Sequence, residues 1–418
     1  MKIKISRLNI KHILTIILVI ILAVCGETKF SFHGTSQKIV FSLIAIYGVI
    51  LYLKNRYDKN HINSKLFRIL IKASLPFIFA FLYTFIITSF QNEYNLPIAK
   101  HAFTTSMYAF IQMMFVFSMF LIFKEKAIDI IYHYICLSYL ISITWALKEN
   151  SITSIITNYN SINNVLERHD IGTAVVPIIL LYLYKLLYLK EKNNQYIKRI
   201  IVCTVILFLC GKRAAFVAII VGVIVLFVVS LKSKNKFRLF NCINFFTILI
   251  LFLYVFIIQS GLLAQICNKF GISTQGRLYV WNWFSNMYTI SPLYMGKGLQ
   301  FVHEYMSAFI AEGGSPTSMV SMFGYLHNSD LQIYIELGFL GFFMWFTFYL
   351  FIMPKLIYKN FGVKLFYISS ILFISMVFLF MTDNVMTYPI FQTTMYVSMF
   401  SIVLESQRKK NESGALYE

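Results

Sequence analysis

Apolar runs near the length of a membrane-crossing helix, separated by short clusters of Lys and Arg, constrain this chain more than any other feature. A helix needs about 20 apolar residues to cross roughly 30 Å of hydrocarbon. Runs of this kind fall near residues 10–26, 39–53, 66–90, 103–123 and 127–147, then near 171–189, 200–210, 214–231, 239–261, 328–353, 365–381 and 385–404. Of the 418 residues 58% are hydrophobic and only 13% charged, whereas soluble domains carry about 25% charged residues. The expected fold class is an all-α integral membrane protein with about 12 transmembrane helices.

The net charge of +20 would suit a nucleic-acid partner if it lay along one polar face. It lies instead between apolar runs, so no nucleic acid is expected and membrane lipid is the surrounding medium. Cytoplasmic flanks retain Lys and Arg while exported ones shed them. The flanks 1–11, 54–72, 124–126, 185–199, 232–238, 355–364 and 408–410 hold 27 of the 37 Lys and Arg. Both termini are therefore expected in the cytoplasm, in a multi-pass protein of the bacterial cytoplasmic membrane. The same alternation exports the two long polar connections, 148–170 and 262–325. An outward-facing site belongs in such loops. The expected domains are helices 1–9 over residues 1–261, an extracytoplasmic loop with an interfacial helix over 262–326, helices 10–12 over 327–404, and a cytoplasmic tail over 405–418.

The basic N-terminus leads into an apolar run with no small-residue cleavage motif after Cys25 and Gly26, so a retained first helix is expected. Six cysteines stand singly, without a Cys-x-x-Cys pair, which argues against a disulfide framework or a structural zinc. The two halves of the chain share no span or loop lengths, unlike repeat-built transporters.

Three positions carry candidate chemistry. Residues 200–231 are too long for one span and short for two, and Gly211-Lys212-Arg213 interrupt them. As a helical hairpin this segment would carry Arg213 below the membrane surface, in a water-accessible cavity. A cation there marks a substrate path, or else Lys212 and Arg213 snorkel to headgroups. In the outer loop, Leu278, Trp281, Phe284 and Tyr288 recur at helical spacing, an interfacial helix begun by Arg277. An Arg opposing the helix dipole suggests a shared anion, with a headgroup phosphate as the plainer alternative. His327 and Asn328 stand at the mouth of the tenth span. His327 suits a general base, while Asn328 or Ser329 equally suits a helix cap that His327 merely precedes. Asp330 and Tyr334 follow on one helical face, and Glu336 points elsewhere, where it can hold the helix against a neighbour.

Gly211-Lys212-Arg213-Ala214-Ala215, then Arg277 with Trp281 a turn later, Pro292, Gly296-x-Gly298, His327-Asn328 and Glu336-Leu337-Gly338-Phe339-Leu340-Gly341 resemble the family of Wzy-type polysaccharide polymerases and O-antigen ligases. The resemblance covers roughly residues 200 to 345. It departs at Gly-Lys-Arg-Ala, where many relatives have Ser-Arg-Gly; the role carries over onto Arg213, with Lys212 as the substitute candidate. The resemblance implies a fold akin to the C-type glycosyltransferases and metal-independent transfer of a glycan from an undecaprenyl diphosphate carrier on the outer face, with no cofactor. It implies that Arg213 and Arg277 hold the diphosphate, that Lys212, Trp281 and Asn328 help bind substrate, and that His327 deprotonates the acceptor hydroxyl. Donor and acceptor would both be undecaprenyl-diphosphate-linked glycans, with a chain-length regulator and a flippase of the same pathway as partners.

A metal normally needs clustered carboxylates. The expected outer acids Glu27, Glu93, Glu167, Asp170, Glu304, Glu312, Asp330 and Asp383 are scattered along the chain. The expected function is polymerisation of capsular, exopolysaccharide or O-antigen repeat units. A ligase of the same family and a lipid-linked oligosaccharide flippase are the rivals. Heavy use of Lys, Ile, Asn and Phe suggests an AT-rich genome, frequent in Gram-positive bacteria without lipid A, and favours the polymerase. All of this requires Arg213, Arg277 and His327 to meet in one pocket open to the exterior.

Overall fold

Hydrocarbon offers backbone N–H and C=O groups no partner except one another, which restricts membrane-spanning chains to helices or closed barrels. The computed structural model describes residues 7–27, 35–54, 61–90, 96–159, 165–231, 236–272, 274, 276–311 and 326–414, and these contain helices and no strand. The helices are α1 (Arg7–Cys25), α2 (Thr35–Lys54), α3 (His61–Phe90), α4 (Leu96–Phe123), α5 (Ala127–Glu149), α6 (Ile152–Thr157), α7 (His169–Leu183), α8 (Asn194–Leu209) and α9 (Arg213–Ser230). They continue as α10 (Lys236–Gln259), α11 (Leu262–Lys269), α12 (Arg277–Phe284), α13 (Phe301–Ala311), α14 (Ser329–Thr347), α15 (Met353–Phe361), α16 (Val363–Phe380) and α17 (Pro389–Gly414).

Every apolar run read from the sequence overlaps one of these helices, with 171–189 running past the end of α7 and 328–353 past the end of α14. Eight described stretches are both long and apolar enough to cross a membrane, and one of them, 97–149, carries both α4 and α5. The eight do not include α8, which has only 16 residues, α1, whose apolar part begins at Ile13, or α17. Ile39, Leu43, Ile46, Ile50 and Leu53 form an exposed apolar stripe along α2, and Val217, Ile220, Ile224 and Phe227 form another along α9. Three- and four-residue spacing on an exposed face is the pattern of a helix solvated by lipid. In contrast, α7 is buried without a break from Ile171 to Tyr182, and α16 is buried almost throughout. Helices apolar on all sides belong inside a bundle.

The chain forms two units, one of residues 1–70, 111–215 and 389–418, the other of residues 71–110 and 216–388. In the first, α7 packs with α5, α8 and α17, and α1 packs with α2 and α5. Its buried and half-buried charges are paired at opposite ends of α7. At one end Lys185 is held by both Glu405 oxygens at 2.5 and 2.7 Å, and Arg199 bonds Asp129 at 2.5 Å and the Tyr182 hydroxyl.

At the other end Arg168, 6% exposed, uses its whole guanidinium. Its Nη1 donates to Glu27 at 2.9 Å and to the Ser142 hydroxyl at 2.6 Å, its Nη2 donates to the Gly26 carbonyl at 3.0 Å, and Asp170 accepts two further bonds at 3.0 and 2.9 Å. Burial works against the charge on Arg168, but Asp170 and then Glu27 outweigh it and raise the guanidinium above its usual range. Two of the acids expected on the outer side, Glu27 and Asp170, thus join α1, α5 and α7.

In the second unit the tenth run is broken. Gly338, inside α14, has φ +70° and ψ −171°, a conformation essentially open only to glycine. Residues 294–298 fill the break with backbone hydrogen bonds. The Lys297 and Gly298 amides donate to the Ile335 and Glu336 carbonyls at 3.0 and 2.8 Å, and the Phe339 amide donates to the Tyr294 carbonyl at 2.8 Å. A Cβ on Gly338 would come within 2.3 Å of the Tyr294 carbonyl oxygen, and one on Gly296 within 2.5 Å of the Glu336 oxygen. The two glycine motifs of the sequence therefore form one structural element. Glu336, fully buried, accepts from Gln332 at 3.0 Å and from the Val302 amide at 3.2 Å, so it caps α13 and holds α14 against it.

Candidate functional site

Helix α14 opens with Asn328 as its N-cap, whose Oδ1 accepts from the Leu331 amide at 2.9 Å. Of the two roles open at this position, capping goes to Asn328. His327 is left just outside the helix with φ +52°, a left-handed conformation uncommon for a residue with a side chain. Such strain persists only where the surroundings hold it, and it concentrates at functional sites.

The surroundings here are the connection between α16 and α17. The Asp383 carbonyl accepts from the Ser329 amide at 3.2 Å and from the Ser329 hydroxyl at 2.9 Å, which fixes the start of α14 against this connection. The Asp383 carboxylate is fully buried and accepts from the Asn384 amide at 2.9 Å and the Tyr388 hydroxyl at 3.0 Å. Its Oδ1 stands 3.6 Å from His327 Nδ1. That is longer than a hydrogen bond but within ion-pair reach once the ring takes a proton. A carboxylate facing Nδ1 favours the tautomer whose Nε2 can accept a proton, the arrangement of a general base with an orienting acid.

Helix α12 joins the same neighbourhood. Trp281, buried, donates from Nε1 to the carbonyl of Leu326 at 2.8 Å, so the indole holds the residue before His327. The Tyr254 ring meets Trp281 edge-on with centroids 6.3 Å apart, and its hydroxyl donates to the Met381 carbonyl at 2.8 Å, two residues before Asp383. Tyr254 also lies in electrostatic reach of both Arg277 and Asp330. The helix that Arg277 begins is therefore stitched to the strand of chain carrying His327 and to the one carrying Asp383. The buried face of α12 is Val280, Trp281 and Phe284, close to the face expected from helical spacing. Among the described residues the Arg277 guanidinium makes no hydrogen bond or ion pair. Both Asp330 oxygens are buried without a hydrogen-bond partner among the described residues. A cation and a buried carboxyl group without partners, each within reach of Tyr254, leave polar groups for a ligand or water to complete.

The Gly211 turn lies in the first unit. Gly211, at φ +63°, turns the chain between α8 and α9, and Arg213 is the first residue of α9. The buried cation of this turn is Lys212, 3% exposed, while the Arg213 side chain is exposed. This departs from the expectation that Arg213 is the enclosed one. The helix start turns residue 213 outward, and Lys212 Nζ reaches His169 Nδ1 at 2.7 Å. His169 Nδ1 is also 3.2 Å from Glu167. The residues brought together in the second unit are thus His327, Asn328, Trp281, Arg277, Asp330 and Asp383, and those in the first are Lys212, His169 and Glu167.

Asp383 and Tyr254 are the residues that sequence reasoning missed. Asp383 stood among the scattered outer acids with no motif around it, and Tyr254 lay inside an apolar run. The same holds for His101, His303 and Glu304, whose candidate ligand atoms lie within 4.8 Å of one another. No curated protein matches the chain. Residues 200–346 match the family model Wzy_C, described as O-antigen ligase, and contain α9 to α13 and almost all of α14. Residues 200–346 are thus similar to the O-antigen ligase family, and the many long apolar helices suggest a multi-pass membrane protein.

Proposed function

We propose that this protein is a polysaccharide polymerase, joining undecaprenyl-diphosphate-linked oligosaccharide repeat units into capsular, exopolysaccharide or O-antigen chains on the outer membrane face. The Wzy_C match supports a role in polysaccharide assembly. The single observation that carries the chemistry is the His327–Asp383 pair, at 3.6 Å, on chain segments stitched to the helix that begins with Arg277.

In this reading His327 takes the proton of the acceptor hydroxyl. The freed oxygen pair forms the new bond to the anomeric carbon. The bond from that carbon to the diphosphate oxygen breaks, and its electron pair stays on the diphosphate. Arg277 meets that added charge with a forked set of donors, worth most where water is excluded. Asp383 orients the imidazole and stabilises its protonated form. Lys212 and Arg213 keep the phosphate-binding role implied by the sequence resemblance, and Trp281 and Asn328 act by holding the segment around His327. The reaction as written routes no step through a metal or cofactor.

The description of the matched family favours a second reading, a ligase that hands a finished glycan to another acceptor. Full-length protein in detergent, supplied only with lipid-linked repeat units, separates the two. A ladder of growing chains is the expected result. Transfer that occurs only when a different acceptor is added makes the protein a ligase, and movement across vesicles without bond formation removes the catalytic reading.

A further inference from the structure

His101 lies near the start of α4, while His303 and Glu304 are neighbours in the first turn of α13. Their candidate ligand atoms all lie within 4.8 Å of one another. The two imidazole centroids are 5.8 Å apart with the rings tilted by 45°. His101 Nδ1 and Glu304 Oε1 face one another as an ion pair, both atoms shielded from solvent, yet neither makes a hydrogen bond of acceptable geometry. His101 and Glu304 are already an imidazole–carboxylate pair, and the second imidazole beside them completes a donor set of two nitrogens and one oxygen, of the kind that holds zinc.

The helices presenting these groups are fixed independently of them. The start of α13 is held by Glu336 on the Val302 amide at 3.2 Å and by Thr84 on the Leu299 amide at 2.7 Å. Helix α4 is held to α3 by Ser106, whose hydroxyl donates to the Phe77 carbonyl at 2.7 Å. The three side chains are therefore presented by elements with little freedom, which a metal site requires.

We propose that His101, His303 and Glu304 bind a divalent transition-metal ion of the zinc type, which staples α4 to α13. Two imidazoles and one carboxylate suit zinc, whereas magnesium and calcium call for oxygen ligands alone. Ligands about 2.1 Å from a tetrahedral centre lie roughly 3.4 Å apart, so an ion would enter as His101 and Glu304 rotate apart and the His303 ring turns toward them. Water or another small donor completes the fourth position. The site shares no residue with the His327–Asp383 pair, and its role is structural. Its effect is on α13, the helix that leads toward the segment preceding His327. The proposal does not depend on the polymerase reading.

The test uses the full chain, purified without a polyhistidine tag, stripped with chelator and titrated with Zn²⁺. Bound metal and thermal unfolding are read together. The expected result is one zinc per chain, a raised unfolding temperature, and affinity weakened more than about tenfold in His303→Ala and in Glu304→Gln, since even outer-shell losses cost that much. The metal-free variants should unfold where the metal-free wild type does. Co²⁺ bound to the wild type provides a second readout, with the intense visible absorption of a four- or five-coordinate site expected even if a variant fails to fold. Zinc binding unchanged in both variants, no retained zinc in the wild type, or only the weak absorption of hexa-aqua cobalt would each overturn the proposal.

Discussion

At the scale of single residues, the proposed chemistry depends on whether an imidazole is oriented or merely present. His327 is held in a left-handed backbone conformation and faces a carboxylate that is itself fixed by Asn384 and Tyr388. Substituting Asp383 by Asn keeps an acceptor for those two donors but removes the charge that favours the reactive tautomer. Asp383→Asn should therefore accumulate normally in the membrane and elongate chains about 100-fold more slowly, at the low end of general-base contributions. His327→Ala should lose at least as much. Chain-length profiles at matched protein level check both, and normal polymer from either variant removes that residue from the mechanism.

At the scale of elements, two junctions hold the helices in place. The first is the break in α14, where residues 294–298 fit only because positions 296 and 338 lack a Cβ. Gly338→Ala should destabilise the protein by at least about 1–3 kcal/mol from backbone conformation alone, with the overlap against Tyr294 adding to it. A detergent unfolding midpoint equal to that of the wild type would contradict this account of the break. The second is Arg168, which satisfies Glu27, Ser142, Asp170 and the Gly26 carbonyl together. Arg168→Ala leaves the fully buried Glu27 without its cation, and breaking a buried pair in this way costs about 3–5 kcal/mol. Equilibrium unfolding of the variant measures it.

At the scale of the whole molecule, the phosphate-binding role proposed for Lys212, Arg213 and Arg277 rests on the sequence resemblance, Lys212 and Arg213 lying in one compact unit and Arg277 in the other. If Arg213 and Arg277 stabilise charge on the same leaving group, their losses should not multiply. Arg213→Lys and Arg277→Lys should each slow chain growth, and the double variant should be less impaired than the product of the two. A fully multiplicative loss would show that the two residues serve separate tasks. The exposed position of Arg213 and the burial of Lys212 make Lys212→Ala a necessary companion in that series.

Much of the fold was legible in one dimension, because lipid imposes a length and a periodicity that each segment must satisfy by itself. The helix positions, the hairpin turn at Gly211, the start of α12 at Arg277 and the cap at the head of α14 follow from local pattern and from the chemistry of single residues. The meeting of Asp383 with His327 was not legible, nor the indole of Trp281 on Leu326, nor the pairing of Gly296 with Gly338. These join positions 42 to 56 residues apart through contacts that carry no period and no motif. The outer acids looked scattered for the same reason. Glu27 and Asp170 serve Arg168, Asp383 serves His327, and Glu304 lies with two histidines, since folding brings together side chains whose separation along the chain says nothing about their distance in space.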